Sequence, residues 1–212
     1  MDLRNILVQL VVDLENGAVL CRPQSTSAAR GVIKGIQNTS VCTLASSLAW
    51  KYREYKDFDF NKDDLVWSVG GKIMPMPDHL KTDDFYAKKT LAQERAKYIY
   101  ALEVYFQMYL TRVVDFYDQA TEAYIISELD QCNPLANYYT YGIQEYARVL
   151  DIHPETAYKE FKLRYDTQML ARMRNLAMFQ KHLDLMNQCT TKEQLQDALK
   201  NANNEIWGKA TS

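Results

Sequence analysis

The chain has 212 residues, 47% of them hydrophobic, with seven Gly, five Pro and a formal net charge of −2. That composition excludes a disordered chain. The near balance of charge excludes a general nucleic-acid coat, which needs surplus Lys and Arg to displace counterions.

The first stretch can be read two ways. Leu3, Ile6, Leu7, Leu10, Val11 and Leu14 fall on one helical stripe, with Gly17 placed as a C-terminal stop, so a helix over 2–16 is favoured. The alternative is a hairpin, because the run ILVQLVVDL is β-branched and Asn16-Gly17 is a strong turn signal, with Ala18 to Cys21 returning. Strand alternation fails at Leu7 and Val11. After a polar connection, helical patterns run from Ala28 to Gln37 and from Ser40 to Tyr55. The second carries Val41, Leu44, Leu48 and Tyr52 on one face, beside Ala45 and Ala49.

The period breaks between Lys56 and Asp83. Gly70-Gly71, Pro75 and Pro77, with β-prone Leu65 to Val69 and Lys72 to Met74, predict a small hairpin or ordered loop. Such an insertion suits contact rather than core. A long helix follows from about Asp84 to Leu129, starting at Thr82 or Asp83. Leu91, Tyr98, Leu102, Tyr105, Tyr109, Val113, Phe116, Ala120 and Ala123 lie on one face of it. At 1.5 Å per residue it is a rod on the order of 65 Å, longer than a compact domain of this size can cover alone.

Asn133-Pro134 ends that helix or restarts the next, which runs from Leu135 to Leu150. Asp151-Ile152-His153 is a turn with Pro154 at a first helical position. A second long helix reaches about Gln188, with Leu163, Leu170, Met173, Leu176, Phe179 and Leu183 as its apolar face. Thr190 with Glu193 forms a capping box for a last helix through Trp207. The predicted fold is mainly α, a multi-helix bundle with two long helices and a small loop or hairpin insertion. Its segments are 1–57, 58–83 and 84–212.

Cys21, Cys42, Cys132 and Cys189 lack metal-finger or C-x-x-C spacing and read as free thiols of a reducing compartment. Asp2 and Arg4 precede an apolar run broken by Gln9 and Asp13, unlike a signal peptide, and no stretch reaches a membrane span. The expectation is a soluble protein made in the cytoplasm, with no membrane partner.

Little in the chain points to catalysis. No H-E-x-x-H or Glu-x-x-His pair is present, so a carboxylate-bridged di-iron bundle is not supported. Gly70-Gly71-Lys72 is followed by Ile73, with Val66 where a phosphate loop needs its first glycine. There is no G-x-S-x-G elbow. Asp63-Asp64 and Asp83-Asp84 sit at element starts, where helix charge and capping account for them. No catalytic, metal or cofactor-binding residue is assigned, and no cofactor is expected.

The fifteen tyrosines are concentrated on and beside the long helix. Tyrosine is enriched in protein interfaces, being apolar with one polar tip. Tyr105, Phe106, Tyr109 and Trp67 are the candidate interface anchors. A different class of function rests on Gln144 to Arg164. Ala147, Leu150, Ile152 and Ala157 follow a helix-turn-helix spacing, with Lys159, Lys162 and Arg164 as DNA contacts. Asp151 replaces the usual turn glycine there, and Glu160 falls where an apolar residue belongs. The basic bias from Lys159 to Lys181 fits a solvated face or an acidic partner.

The last third of the chain orders a short helix and turn (EYARVLDIHPETAYKEF), a longer helix, and Cys189-Thr190-Thr191-Lys192-Glu193-Gln194-Leu195. This order resembles helical C-terminal segments of tail and tail-fibre-associated proteins of tailed bacteriophages. The resemblance implies a virion component and carries over no functional residue. The expected function is a non-enzymatic structural subunit, homo-oligomeric or bound to other virion proteins, with a helix-turn-helix regulator as the alternative.

Overall fold

A computed structural model describes residues 7–45, 58–60, 62–68, 72–113 and 119–208. They are mainly helical with small antiparallel sheets, and the chain divides into two compact units, residues 1–106 with 179–212, and residues 107–178. These boundaries fall inside helices rather than at the ends of the 58–83 insertion.

The first unit opens with a hairpin, not the favoured helix. β1 (Leu7–Asp13) pairs with β2 (Val19–Cys21) on one side and β3 (Thr39–Ala45) on the other, all antiparallel. The Asn16-Gly17 turn decides the matter. Gly17 adopts φ +72°, Asn16 Oδ1 accepts from Ala18 N at 2.9 Å, and Asp13 N donates to Ala18 O at 2.8 Å. Alternation is missing because Leu10, Val11 and Val12 are all buried, as in a central strand covered on both faces. The helix predicted from Ser40 is likewise a strand where it is described. Its Thr39, Val41 and Thr43 are β-branched and pair along the free edge of β1. Leu48, Ala49 and Tyr52 lie outside the described residues.

Between these strands, α1 (Thr26–Gly35) forms as predicted, its first turn capped by Ser25 Oγ, which accepts from Ala28 N at 3.1 Å. β4 (Leu65–Trp67) and β5 (Ile73–Pro75) then make the predicted small hairpin, with Gly70-Gly71 outside the described residues. The insertion belongs to the core, contrary to its reading as a contact element. Leu65 and Ile73 are buried with Leu10, Val12 and Val19, and Phe58, Phe60 and Trp67 pack around them.

α2 (Asp83–Val113) starts where predicted, with Thr82 Oγ1 accepting from Phe85 N at 3.2 Å. The predicted rod is described as two helices, α2 and α3 (Gln119–Gln131), and 114–118 lie outside the described residues. The buried side of α2 is rotated from the predicted stripe. It runs through Phe85, Lys89, Ala92, Ala96, Ile99, Leu102 and Phe106, while Leu91, Tyr105 and Tyr109 are half-buried. Apolar residues surround much of this helix, so period alone does not select the side that small alanines allow to pack closely.

Two lysines near the start of α2 fix what lies over it. Lys88 Nζ is 2.6 Å from Asp13 Oδ2 beside the β1–β2 turn. Lys89, buried, reaches Asp64 Oδ1 at 2.8 Å and the Asp63 carbonyl at 2.9 Å, tying down the approach to β4. Burial alone would raise the Asp64 carboxyl, but hydrogen bonds from Lys89 and Tyr86 hold it below the usual range.

α6 (Lys192–Gly208) completes this unit. Its capping box is Thr191 with Gln194 rather than Thr190 with Glu193. Thr191 Oγ1 accepts from Gln194 N at 3.3 Å, and Gln194 Oε1 accepts from Thr190 N at 2.7 Å and Thr191 N at 3.2 Å.

In the second unit, α3 leads through a 3₁₀ turn at Pro134–Ala136 to α4 (Tyr141–Leu150) and then α5 (Pro154–Gln188). α4 begins at Tyr141, not Leu135, because Asn133 and Tyr138 exchange backbone hydrogen bonds of 2.8 and 2.9 Å around Asn137, which has φ 54°. Tyr139, Ile143, Ala147 and Ala157 are its buried cluster, with Cys132, Tyr146, Ile152, Tyr158 and Phe161 around them. No helix among the described residues is long and apolar enough to cross a membrane.

Candidate interaction surface

Among the described residues, the second unit keeps few large side chains inside and presents many outside. Sixteen large hydrophobic residues are exposed among the described residues, and eleven of them lie within 107–178. Single exposed apolar residues are ordinary on any protein, and this concentration makes the unit the candidate contact surface.

α5 contributes the clearest row. Leu163, Leu170, Met173 and Leu176 are 69%, 51%, 59% and 59% exposed, so the predicted inward stripe faces out over this stretch. Only its far end turns inward, where Phe179 stacks edge-on against Phe106 at 5.6 Å. The inward side instead carries Ala157, Phe161, Asn175, His182 and Met186. Polar residues at 175 and 182 conceal that side from any reading based on hydrophobic period.

The four predicted anchors are not brought together as one exposed set. Phe106 is 3% exposed and lies against Phe179 and His182, so it has no surface to offer a partner. Tyr105 and Tyr109 are half-buried on α2, and Trp67 packs on the core beside Ile73.

The helix-turn-helix segment does form a helix, a tight turn and a helix. Asp151 takes φ 55° and ψ 45°, and its amide donates to the carbonyls of Ala147 and Arg148, closing α4 where glycine is the usual residue. Its cations are less available than the sequence suggests. Lys159 Nζ is 2.6 Å from Glu155 Oε1, and Lys162 Nζ is 3.1 Å from Asp166 Oδ2. Each hydrogen bond raises the lysine above its ordinary range and offsets its charge. Arg164 points into a cleft on the same unit. That cleft is lined by Ile125 of α3 and by Phe161, Arg164, Tyr165, Gln168, Met169 and Arg172 of α5.

All four cysteines are free, and burial pushes the Cys21 thiol up to about 12. Burial also raises the thiols of Cys42 and Cys189, which makes them poor nucleophiles. Among the described residues no group of three His, Cys, Asp or Glu is arranged to hold a metal ion. No family model, curated protein or solved structure matches the chain.

Proposed function

We propose that this chain is a non-enzymatic structural subunit of a larger assembly and that the 107–178 unit is its contact surface. The observation that carries this reading is the concentration of exposed large apolar side chains on that unit, with Leu163 and Leu170 two helical turns apart on α5. Apolar side chains at helical spacing suit a partner helix, which gains burial by covering them. The resemblance of the last third to tail-associated phage proteins supports a virion, and specifically a tailed-phage particle, as the setting. In that setting the protein is a homo-oligomer or binds other virion proteins through a helical bundle that includes its two longest helices.

The test is solution mass by light scattering over a concentration series, with and without duplex DNA, for the natural chain and for Leu163→Ser with Leu170→Ser. A concentration-dependent oligomer that ignores DNA and dissociates in the double variant supports the reading. A monomer at every concentration overturns self-assembly. Mass gained with DNA and lost in high salt would assign the α4–α5 segment to DNA binding instead.

A further inference from the structure

Within the exposed row of α5, Leu163, Leu170 and Met173 form one apolar seam, flanked on a single side by two opposite charges. Glu160 and Arg174 are two heptads apart, so the helical repeat carries both to that side. Both are exposed. Among the described residues neither forms an ion pair, although Lys159 with Glu155 and Lys162 with Asp166 do on the same helix. Exposed Thr167 lies midway between them on the same flank. On the other flank, Asp166 is offset by Lys162 at 3.1 Å.

We infer, resting on the reading of 107–178 as a contact surface, that this seam docks on the same seam of a second copy of the chain. The two helices run antiparallel, with the two-fold axis beside Thr167. Charge complementarity selects both the occupant and its direction. A two-fold axis perpendicular to the helices brings Glu160 of one copy level with Arg174 of the other, and does so twice. Each flanking charge then gains the opposite partner it lacks within its own chain. Leu163 of either copy meets Leu170 and Met173 of the other, which covers the apolar seam. In a parallel pair every residue is level with its own copy. Glu160 and Arg174 would then stay about 20 Å apart, beyond the reach of a screened charge.

The experiment is sedimentation equilibrium of the full chain over a concentration series, for the natural chain, Glu160→Arg, Arg174→Glu and the double charge swap. The natural chain is expected to dimerise. Either single variant should raise the dissociation constant about tenfold, because two symmetric pairs become repulsive together. The double swap should return it to within about threefold of the natural value, since every swapped charge again meets its opposite. Singles as tight as the natural chain overturn the antiparallel pairing. So does a double swap no tighter than the singles, and if Leu163→Ser with Leu170→Ser still abolishes the dimer, the contact-surface reading stands without it. A natural chain that stays monomeric overturns both. Cross-linking with a short bis-maleimide keeps the test open if a charge variant folds poorly. Thr167→Cys should join to its own copy above the natural chain's background, whereas Glu160→Cys, about 20 Å from its copy, should not. The reverse pattern overturns the pairing.

Discussion

The guanidinium of Arg95 fills the space that a side chain at Gly35 would need: a Cβ there would lie 1.9 Å from Arg95 Cζ. Arg95 is wholly buried, and its partners are main-chain carbonyls. It donates to Gly31 O at 3.4 and 3.3 Å, to Asn187 O at 3.3 Å, and to Cys189 O. One side chain thus joins α1, α2 and the end of α5. Burial pulls this arginine below its ordinary range without making it neutral.

Gly35→Ala should therefore destabilise the first unit by about 2 kcal/mol or more, since the obstacle is a hydrogen-bonded planar group with nowhere to move. Arg95→Met should cost about 3 kcal/mol or more by leaving buried carbonyls unpaired. Arg95→Lys should not rescue it, because an ammonium cannot reach three helices from one plane. Urea denaturation midpoints check all three. A Gly35→Ala chain as stable as the natural one would show that α1 and Arg95 are not packed as described.

Gly17 is the second backbone-critical glycine. At φ +72°, a Cβ would fall 2.4 Å from Trp67 O, and Trp67 N donates to Gly17 O at 2.7 Å. Gly17→Ala should cost roughly 1–3 kcal/mol through strain and loss of this strap. Tryptophan emission should shift to the red as Trp67 loosens. An unchanged spectrum and midpoint would mean that the β1–β2 turn does not hold β4.

His182 makes stability depend on pH. It is 3% exposed and lies against Phe106, with Glu205 Oε2 3.0 Å from its Nε2, and Lys181 shares that carboxylate at 2.8 Å. Burial lowers its pKa and outweighs the opposing pull of Glu205, while Lys181 adds to the lowering. The unfolded chain therefore takes up a proton more readily than the folded one. The contribution is present above the unfolded value of about 6.5 and is lost as the pH falls through the folded value. His182→Gln should flatten stability against pH between about 7 and 5. Equal slopes for the two chains would rule out His182 as the source.

Asp151 offers a test in the opposite direction. It holds φ 55° at the end of α4 without glycine's freedom. Asp151→Gly should raise stability by roughly 0.5 kcal/mol, the relief of left-handed strain slightly exceeding the added entropy of the unfolded chain. A lower thermal midpoint would mean that the aspartate side chain does more than occupy the turn.

Local signals carried several elements. Thr82 marked the start of α2, Pro154 the start of α5, and the 65–75 hairpin stood out between helical stretches. The capping box was readable but misplaced by one residue, since Thr190 and Thr191 are equivalent in sequence and only backbone geometry distinguishes them. The cleft was partly legible: Arg164 drew notice as a cation, yet its place beside Gln168 and Arg172 follows only once that side of α5 faces α3.

By itself, the sequence determined the starts of α2 and α5, because a capping threonine and a proline act within a few residues of themselves. It also set the mainly helical class, through the spacing of apolar residues over many turns. Only the tertiary structure decided that β1 is a buried central strand, that the insertion closes the core, and that Leu163 and Leu170 face outward. The physical reason is common to the three. An apolar residue lowers the free energy wherever it is covered, so its position in the chain does not say which neighbour covers it, whereas Lys88, Lys89 and Arg95 accept only specific partners and those partners fix the packing.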